Sequence, residues 1–313
     1  MRKRTLGRTE LRLSQITLGT WGLASGAYGT VTDAGFERTV GAALDAGITT
    51  FDLAPPWGDG RAERSVGRAT GERRHEVQYV TRAGVTRTEG RVHRRYEPEA
   101  LVRDCEGSLE RLGAERIDLW LLHNPPDALW EREDWQEATT RLKRDGKIRH
   151  WGASVSSADQ ARRAIAAGAE AVCLVYNLLA SEDVDDLASD LAVAGCGVLA
   201  RSPLAYGLLT GTWQEDRTFP EGDHRRHRWT SDMLRQRVRQ VNALRFLVND
   251  DIPDLASAAV RHVLSNPVIT SALVGARSPE QVSSAAQAVD GAPPYLSEED
   301  LVKVSQVLAA TGV

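Results

Sequence analysis

The stretch EALVRDCEGSLERLGAERIDLWLLH, residues 99–123, decides the architecture. It opens as an amphipathic helix and stops at Gly113, where a helix end calls for a left-handed residue. A short link leads into IDLWLLH, almost unbroken in its apolar character, as a strand covered on both faces must be. The unit recurs along the chain. FERTVGAALDAG precedes ITTFDLA, WQEATTRLKRDG precedes IRHWGAS, ADQARRAIAAG precedes AVCLVYN, and VDDLASDLAVAG precedes GVLARSP. Gly47, Gly146, Gly168 and Gly195 stand where Gly113 stands in the first unit. With QITLGTW, VQYVTRA and SALVGA the strands number eight.

Strict alternation of strand and helix implies a parallel sheet, closed or open. Eight units within roughly 250 residues is the size of a closed barrel. Polar residues also gather just past the strand ends, at Asp52, Arg82, His123, Ser154, Asn177, Ser202 and Arg277, as on the catalytic rim of such a barrel. No GxGxxG follows the first strand, which argues against an open dinucleotide-binding sheet. The expected fold is therefore α/β, a (β/α)8 TIM barrel formed by residues 1–313 as one domain. Three segments lie outside the eight units. RKRTLGRTELRLS reads as an N-terminal hairpin able to plug the barrel bottom, and SEEDLVKVSQVLAATGV as an extra C-terminal helix capped by Ser297. GTWQEDRTFPEGDHRRHRWTSD is too long for a plain turn, and loops of that length are usually lids or disordered.

At 42% hydrophobic, the 313-residue chain can bury a large core. A net charge of −4 gives no electrostatic case for nucleic acid or an anionic membrane. No apolar run approaches the roughly 20 residues of a membrane span. The basic start lacks the apolar core of a signal peptide, and Cys105, Cys173 and Cys196 are widely separated, without metal spacing. These features fit a cytoplasmic protein with reduced thiols and no metal, acting on a small molecule. They leave its oligomeric state open.

From end to end the chain resembles the aldo-keto reductase superfamily. The landmarks are ITLGTWGL, DAGITTFDLAPPWGDGRAERSVG, IDLWLLHNPP, WGASVSS, VYNLLA, RSPLAYGLLTG and LVGARSPEQV. The resemblance implies a barrel that binds NADPH at the strand C-termini and moves hydride between nicotinamide and a carbonyl or alcohol. It implies a site of Asp, Tyr, Lys and His, in which the Tyr protonates the alkoxide and the Lys lowers its pKa. Carried onto this chain, Asp52 and His123 stand at the acid and histidine positions. Trp57 falls where the Tyr would be and Arg82 where the Lys would be.

Neither replacement preserves the proton path. Indole does not ionise near neutral pH, and a guanidinium holds its proton, although it can grip Asp52 through its planar fork. His123 is then the residue of the four with an ordinary pKa near working pH, which suits it to acid–base work. The bland alternatives are a structural imidazole, a structural Asp52–Arg82 ion pair and a packed Trp57 lid. Tyr28 on the same rim is a further phenol, or simply a turn aromatic.

For the cofactor, the resemblance implies that Ser202, Leu204, Gly207 and Leu208 wrap the pyrophosphate. It also marks Gly275, Arg277 and Gln281, with Arg277 and nearby backbone amides at a helix start suited to phosphate. Ser154 and Asn177 complete the expected contacts. The family's carboxamide-holding Gln and Asn fall on Cys173 and Val155, and its adenine-holding pair on Ser284 and Ala285. Losing several polar contacts of about 1 kcal/mol each weakens NADPH a hundredfold or more. The preferred expectation is thus a redox-neutral enzyme: an eliminating, isomerising or cyclising catalyst for a sugar or secondary-metabolite-type compound, with His123 as acid–base. The alternatives are an NADPH-dependent carbonyl reductase with another proton donor, and a non-catalytic ligand-binding barrel. In HRRHRW, residues 224–229, a solvated loop is set against a lid over an anion.

Overall fold

The computed structural model describes residues 1–88, 90–291 and 293–312. The strands are β1 (Lys3–Thr5), β2 (Arg12–Ser14), β3 (Ile16–Gly19), β4 (Thr50–Asp52), β5 (Gln78–Ala83), β6 (Val85–Thr88), β7 (Arg91–Arg94), β8 (Ile117–His123), β9 (Ile148–Ser154), β10 (Ala171–Val175), β11 (Gly197–Arg201) and β12 (Ile269–Gly275). Eight of them close into a parallel barrel in the order β3, β4, β5, β8, β9, β10, β11, β12, with β12 pairing back to β3. These are the eight strands the sequence pattern marks. Helices cover the outside, so each strand is buried on both faces and its apolar run is explained.

Gly47, Gly113, Gly146, Gly168 and Gly195 all have positive φ, between 60° and 93°. Each sits at the end of a helix and turns the chain back towards the next strand without Cβ strain. Ser297 caps the last helix, Glu298–Ala310, by accepting from the Asp300 N–H at 3.0 Å.

The hairpin β1–β2 plugs the barrel bottom. Leu6, Leu11 and Leu13 pack onto the interior residues Val80, Leu119, Leu121, Ala171, Cys173, Leu199 and Leu273. All three leucines are buried, and each contributes ~2 kcal/mol through the area it removes from water. Closing this end leaves the strand C-termini as the mouth.

Two segments outside the eight units take a definite form. The charged stretch after β5 forms the antiparallel pair β6–β7, anchored where Tyr96 donates to the carbonyls of His123 and Asn124. The long loop 212–231 is ordered, with Trp213, Phe219 and Trp229 in a second core outside the barrel.

Candidate functional site

Asp52 ends β4 and Arg82 is the last but one residue of the neighbouring β5, which carries both side chains to the mouth. They are 4% and 3% exposed and form the floor. Arg82 Nη1 donates to Asp52 Oδ1 at 2.5 Å and to the Leu53 carbonyl at 2.8 Å, while Nη2 reaches Cys173 Sγ at 3.7 Å. The contact is therefore one-pronged. The expected fork does not form, because the guanidinium is divided among three acceptors. Burial pushes the Asp52 carboxyl up and Arg82 pulls it down; Asp52 in turn keeps the guanidinium charged against the cost of burial.

Trp57 lies in the turn after β4. Gly58, Asp59 and Gly60 have φ of 64°, 52° and 80°, and a Cβ on Gly58 would come within 2.5 Å of the Ala24 carbonyl. This tight left-handed turn sets the half-buried indole over Arg82, whose Cζ is 4.9 Å from the ring centroid. The arrangement is a cation–π contact, worth about 1 kcal/mol or more where water is excluded.

His123 ends β8, beside Ser154 at the end of β9. Its Nδ1 is buried without a hydrogen-bond partner. Desolvation, then the charges of Arg82, Arg201 and Arg94, lower its pKa to about 3. This corrects the expectation that His123 titrates near working pH. The imidazole is neutral, and acid–base shuttling at neutral pH has no support in its surroundings. A bare acceptor is tolerated better than a bare N–H, so the tautomer with its proton on Nε2 is favoured.

Tyr28 does not offer a spare phenol. Burial raises its pKa to about 12, and its ring packs edge-on against Trp21 and His224. Arg225 caps the same ring at 4.7 Å and forks onto buried Asp223 at 2.9 and 2.6 Å. The solvated-loop expectation for residues 224–229 thus fails at Arg225 and His224, which are packed into the aromatic cluster. The backbone N–H of His224 also donates to the Ala27 carbonyl at 3.0 Å, fixing the long loop to the first rim turn.

The expected cofactor residues sit along one side of the mouth. Ser202, Ala205, Tyr206 and Gly207 all have positive φ, giving the turn after β11 its sharp winding around Leu204 and Leu208. Asn177 donates to the Ser202 carbonyl at 3.0 Å and accepts from the Leu179 N–H, so it acts here as a tie between two rim turns. Ser154 is buried, next to Cys173 on β10. Gly275 borders open space: a Cβ added there would meet nothing within 4 Å. Gln281 Oε1 accepts from the Arg277 N–H at 2.7 Å and fixes the turn ahead of the helix Pro279–Gln287. Arg277 Nη2 holds the Gly29 carbonyl, and its Nε is buried with no partner. A bare guanidinium N–H beside a helix N-terminus fits a phosphate-bearing cofactor. Among the described residues, no group of three or more His, Cys, Asp or Glu is placed to hold a metal. No helix among them is long and apolar enough to cross a membrane.

A closed parallel barrel with its polar residues at the strand C-termini agrees with comparison at the family level. The chain belongs to the aldo/keto reductase family, whose model matches residues 15–308. It is 30% identical to the aldo-keto reductase YhdN of Bacillus subtilis (strain 168), over 98% of this chain and 93% of that one. It is 29% identical to the NADH-specific methylglyoxal reductase of Escherichia coli (strain K12), over 90% and 91%. Among solved structures, the glycerol dehydrogenase of Gluconobacter oxydans matches with a TM-score of 0.87 at 30% identity, covering 99% of this chain and 96% of that one.

Sequence reasoning missed Arg201 and Arg94. Arg201 was legible as the last residue before the SPL turn; Arg94 lies in a hairpin without a motif.

Proposed function

We propose that the chain is a nicotinamide-dependent oxidoreductase that reduces a small carbonyl compound, with His123 as a hydrogen-bond donor in place of a tyrosine acid. The observation that carries this reading is the neutral, half-buried imidazole at the mouth, beside the buried Asp52–Arg82 pair. The reading rests on the family placement and on the phosphate-fitting groups at Arg277 and the Ser202–Leu208 turn. A bound nicotinamide supplies the hydride.

His123 orients the substrate by donating its Nε2 proton to the carbonyl oxygen. Because its pKa is about 3, it polarises that oxygen without needing to give up a proton of its own. Arg82, charged and fixed by Asp52, adds positive potential near the oxygen as negative charge develops there. Trp57 covers the guanidinium and narrows the mouth. The proton that completes the alcohol comes from water, since neither indole nor guanidinium releases one near pH 7. Positioning and electrostatics remain the main requirements for such a transfer.

The redox-neutral alternative needs a group at the mouth that gains and loses a proton near neutrality, which His123 does not provide. Titration with NADPH and NADH, followed through quenching of the eight tryptophans, tests the proposal together with loss of 340 nm absorbance on adding methylglyoxal. Binding of neither nucleotide at millimolar concentration would refute it.

A further inference from the structure

The mouth carries more positive charge than the chemistry above uses. Arg82 is paired with Asp52, whereas Arg201, the half-buried last residue of β11, is in no ion pair among the described residues, although its charge also acts on Asp52. Its Nη2 donates to the Val155 carbonyl at 3.1 Å, and its Nε is buried with nothing to receive it. The backbone beneath it is held firmly. Arg201 pairs in register with Val175 on one side and Leu273 on the other, and Asn177 ties down the next carbonyl.

Arg94 ends β7, also without a carboxylate partner among the described residues. Two residues further on, the Tyr96 hydroxyl donates to the His123 carbonyl at 2.7 Å, which fastens the hairpin β6–β7 against the strand that carries the imidazole. Arg82, Arg94 and Arg201 all bear electrostatically on His123, and of the three only Arg82 stands in an ion pair among the described residues, with Asp52. Buried donors are rarely left bare, and a guanidinium with no carboxylate in ion-pair contact attracts an oxyanion.

We propose that Arg201, with Arg94 adding charge from the hairpin, receives an oxyanion carried by the substrate, so that the carbonyl compound reduced at His123 bears a carboxylate or a phosphate group. The planar fork of Arg201 suits either group. This inference rests on the reductase reading for its substrate, but the anion site has its own readout.

The test compares aldehydes that differ by one charged group: 4-oxobutanoate against butanal, and glycolaldehyde phosphate against glycolaldehyde, each with NADPH or NADH. The anionic member of at least one pair is expected to show a kcat/KM at least about tenfold higher, and the pair that shows it identifies carboxylate or phosphate. In Arg201→Gln that ratio falls by roughly tenfold to a hundredfold, the range for losing a charged hydrogen bond. Arg201→Lys restores part of it, by keeping the charge without the fork. A ratio within one pair cancels any general loss of folded enzyme. Equal kcat/KM within both pairs, or a ratio untouched by Arg201→Gln, overturns the anion site and leaves the reductase reading standing. If no aldehyde is reduced, that reading has failed, and calorimetry with succinate and inorganic phosphate decides. Binding of either that is lost in Arg201→Gln supports the site, and binding of neither overturns it.

Discussion

Replacing Asp52 by Asn removes one charge from a pair that is almost completely enclosed. Arg82 would keep the Leu53 carbonyl at 2.8 Å and the weak Cys173 contact, but its charge would have no counterion. Breaking a buried pair from one side costs about 3–5 kcal/mol, because the remaining ion is both desolvated and unopposed. Removing both partners is less costly, since no charge is then stranded. The expected pattern is that Asp52→Asn loses about 3–5 kcal/mol of unfolding free energy, while the double variant Asp52→Asn with Arg82→Met recovers at least about 1 kcal/mol of that loss. Arg82→Met also gives up the Trp57 contact, so recovery is incomplete. Urea unfolding followed by tryptophan fluorescence and far-UV circular dichroism supplies the four corners of the cycle. Coincidence of the two probes is needed for a single free energy to apply. A loss under about 1 kcal/mol in Asp52→Asn, or a double variant as unstable as the sum of the singles, would refute the view that the floor is a coupled ion pair.

Three further outcomes follow from the same geometry. His262 is buried with neither ring nitrogen bonded, stacks on Tyr176 at 5.6 Å, and has its pKa lowered to about 4, beside about 3 for His123. Unfolded imidazoles take up protons below about 6.5 and the folded ones do not, so stability holds above that pH and is lost as pH falls towards the folded values. Between pH 7 and 5 the loss is about 2 kcal/mol for each histidine, and His262→Phe should remove roughly half of it; a urea midpoint unchanged by pH would contradict this. Arg225→Ala strands the buried Asp223 carboxylate and removes the cation from Tyr28, so trypsin should cleave within residues 212–231 several-fold faster while the barrel's melting midpoint moves little. An unchanged cleavage rate would mean the loop is held by its other contacts. For His123, Gln should retain much of the activity and Ala should lose about a hundredfold in kcat, with a wild-type rate that is flat from about pH 5 to 8. A bell-shaped profile centred near the ordinary imidazole pKa of about 6.5 would restore His123 as an acid–base.

Much of the architecture follows from local chemistry, and that part was legible. Residues 99–123 declare a helix, a glycine stop and a buried strand because each signal depends on a few neighbouring residues. Asp52, Trp57, Arg82 and His123 could be placed at the rim for the same reason, since position relative to a strand end is read along the chain. Arg94 could not, because its approach to His123 depends on the hairpin β6–β7 and on one hydroxyl from Tyr96. The packing of Arg225 was hidden likewise: HRRHRW is indistinguishable from a solvated run until Tyr28, far back in the chain, is brought beneath it.

What the amino-acid order determined by itself, then, is the alternating barrel, its plugged and open ends, and the identity of the groups at the mouth. The tertiary structure alone decided their charge states and obligations. Imidazole, guanidinium and carboxylate have ordinary properties in water, and only burial among particular neighbours makes His123 neutral, binds Arg82 to Asp52 and leaves Arg201 with a donor unanswered. Desolvation and Coulomb interaction act through space, between residues the chain keeps far apart until it folds.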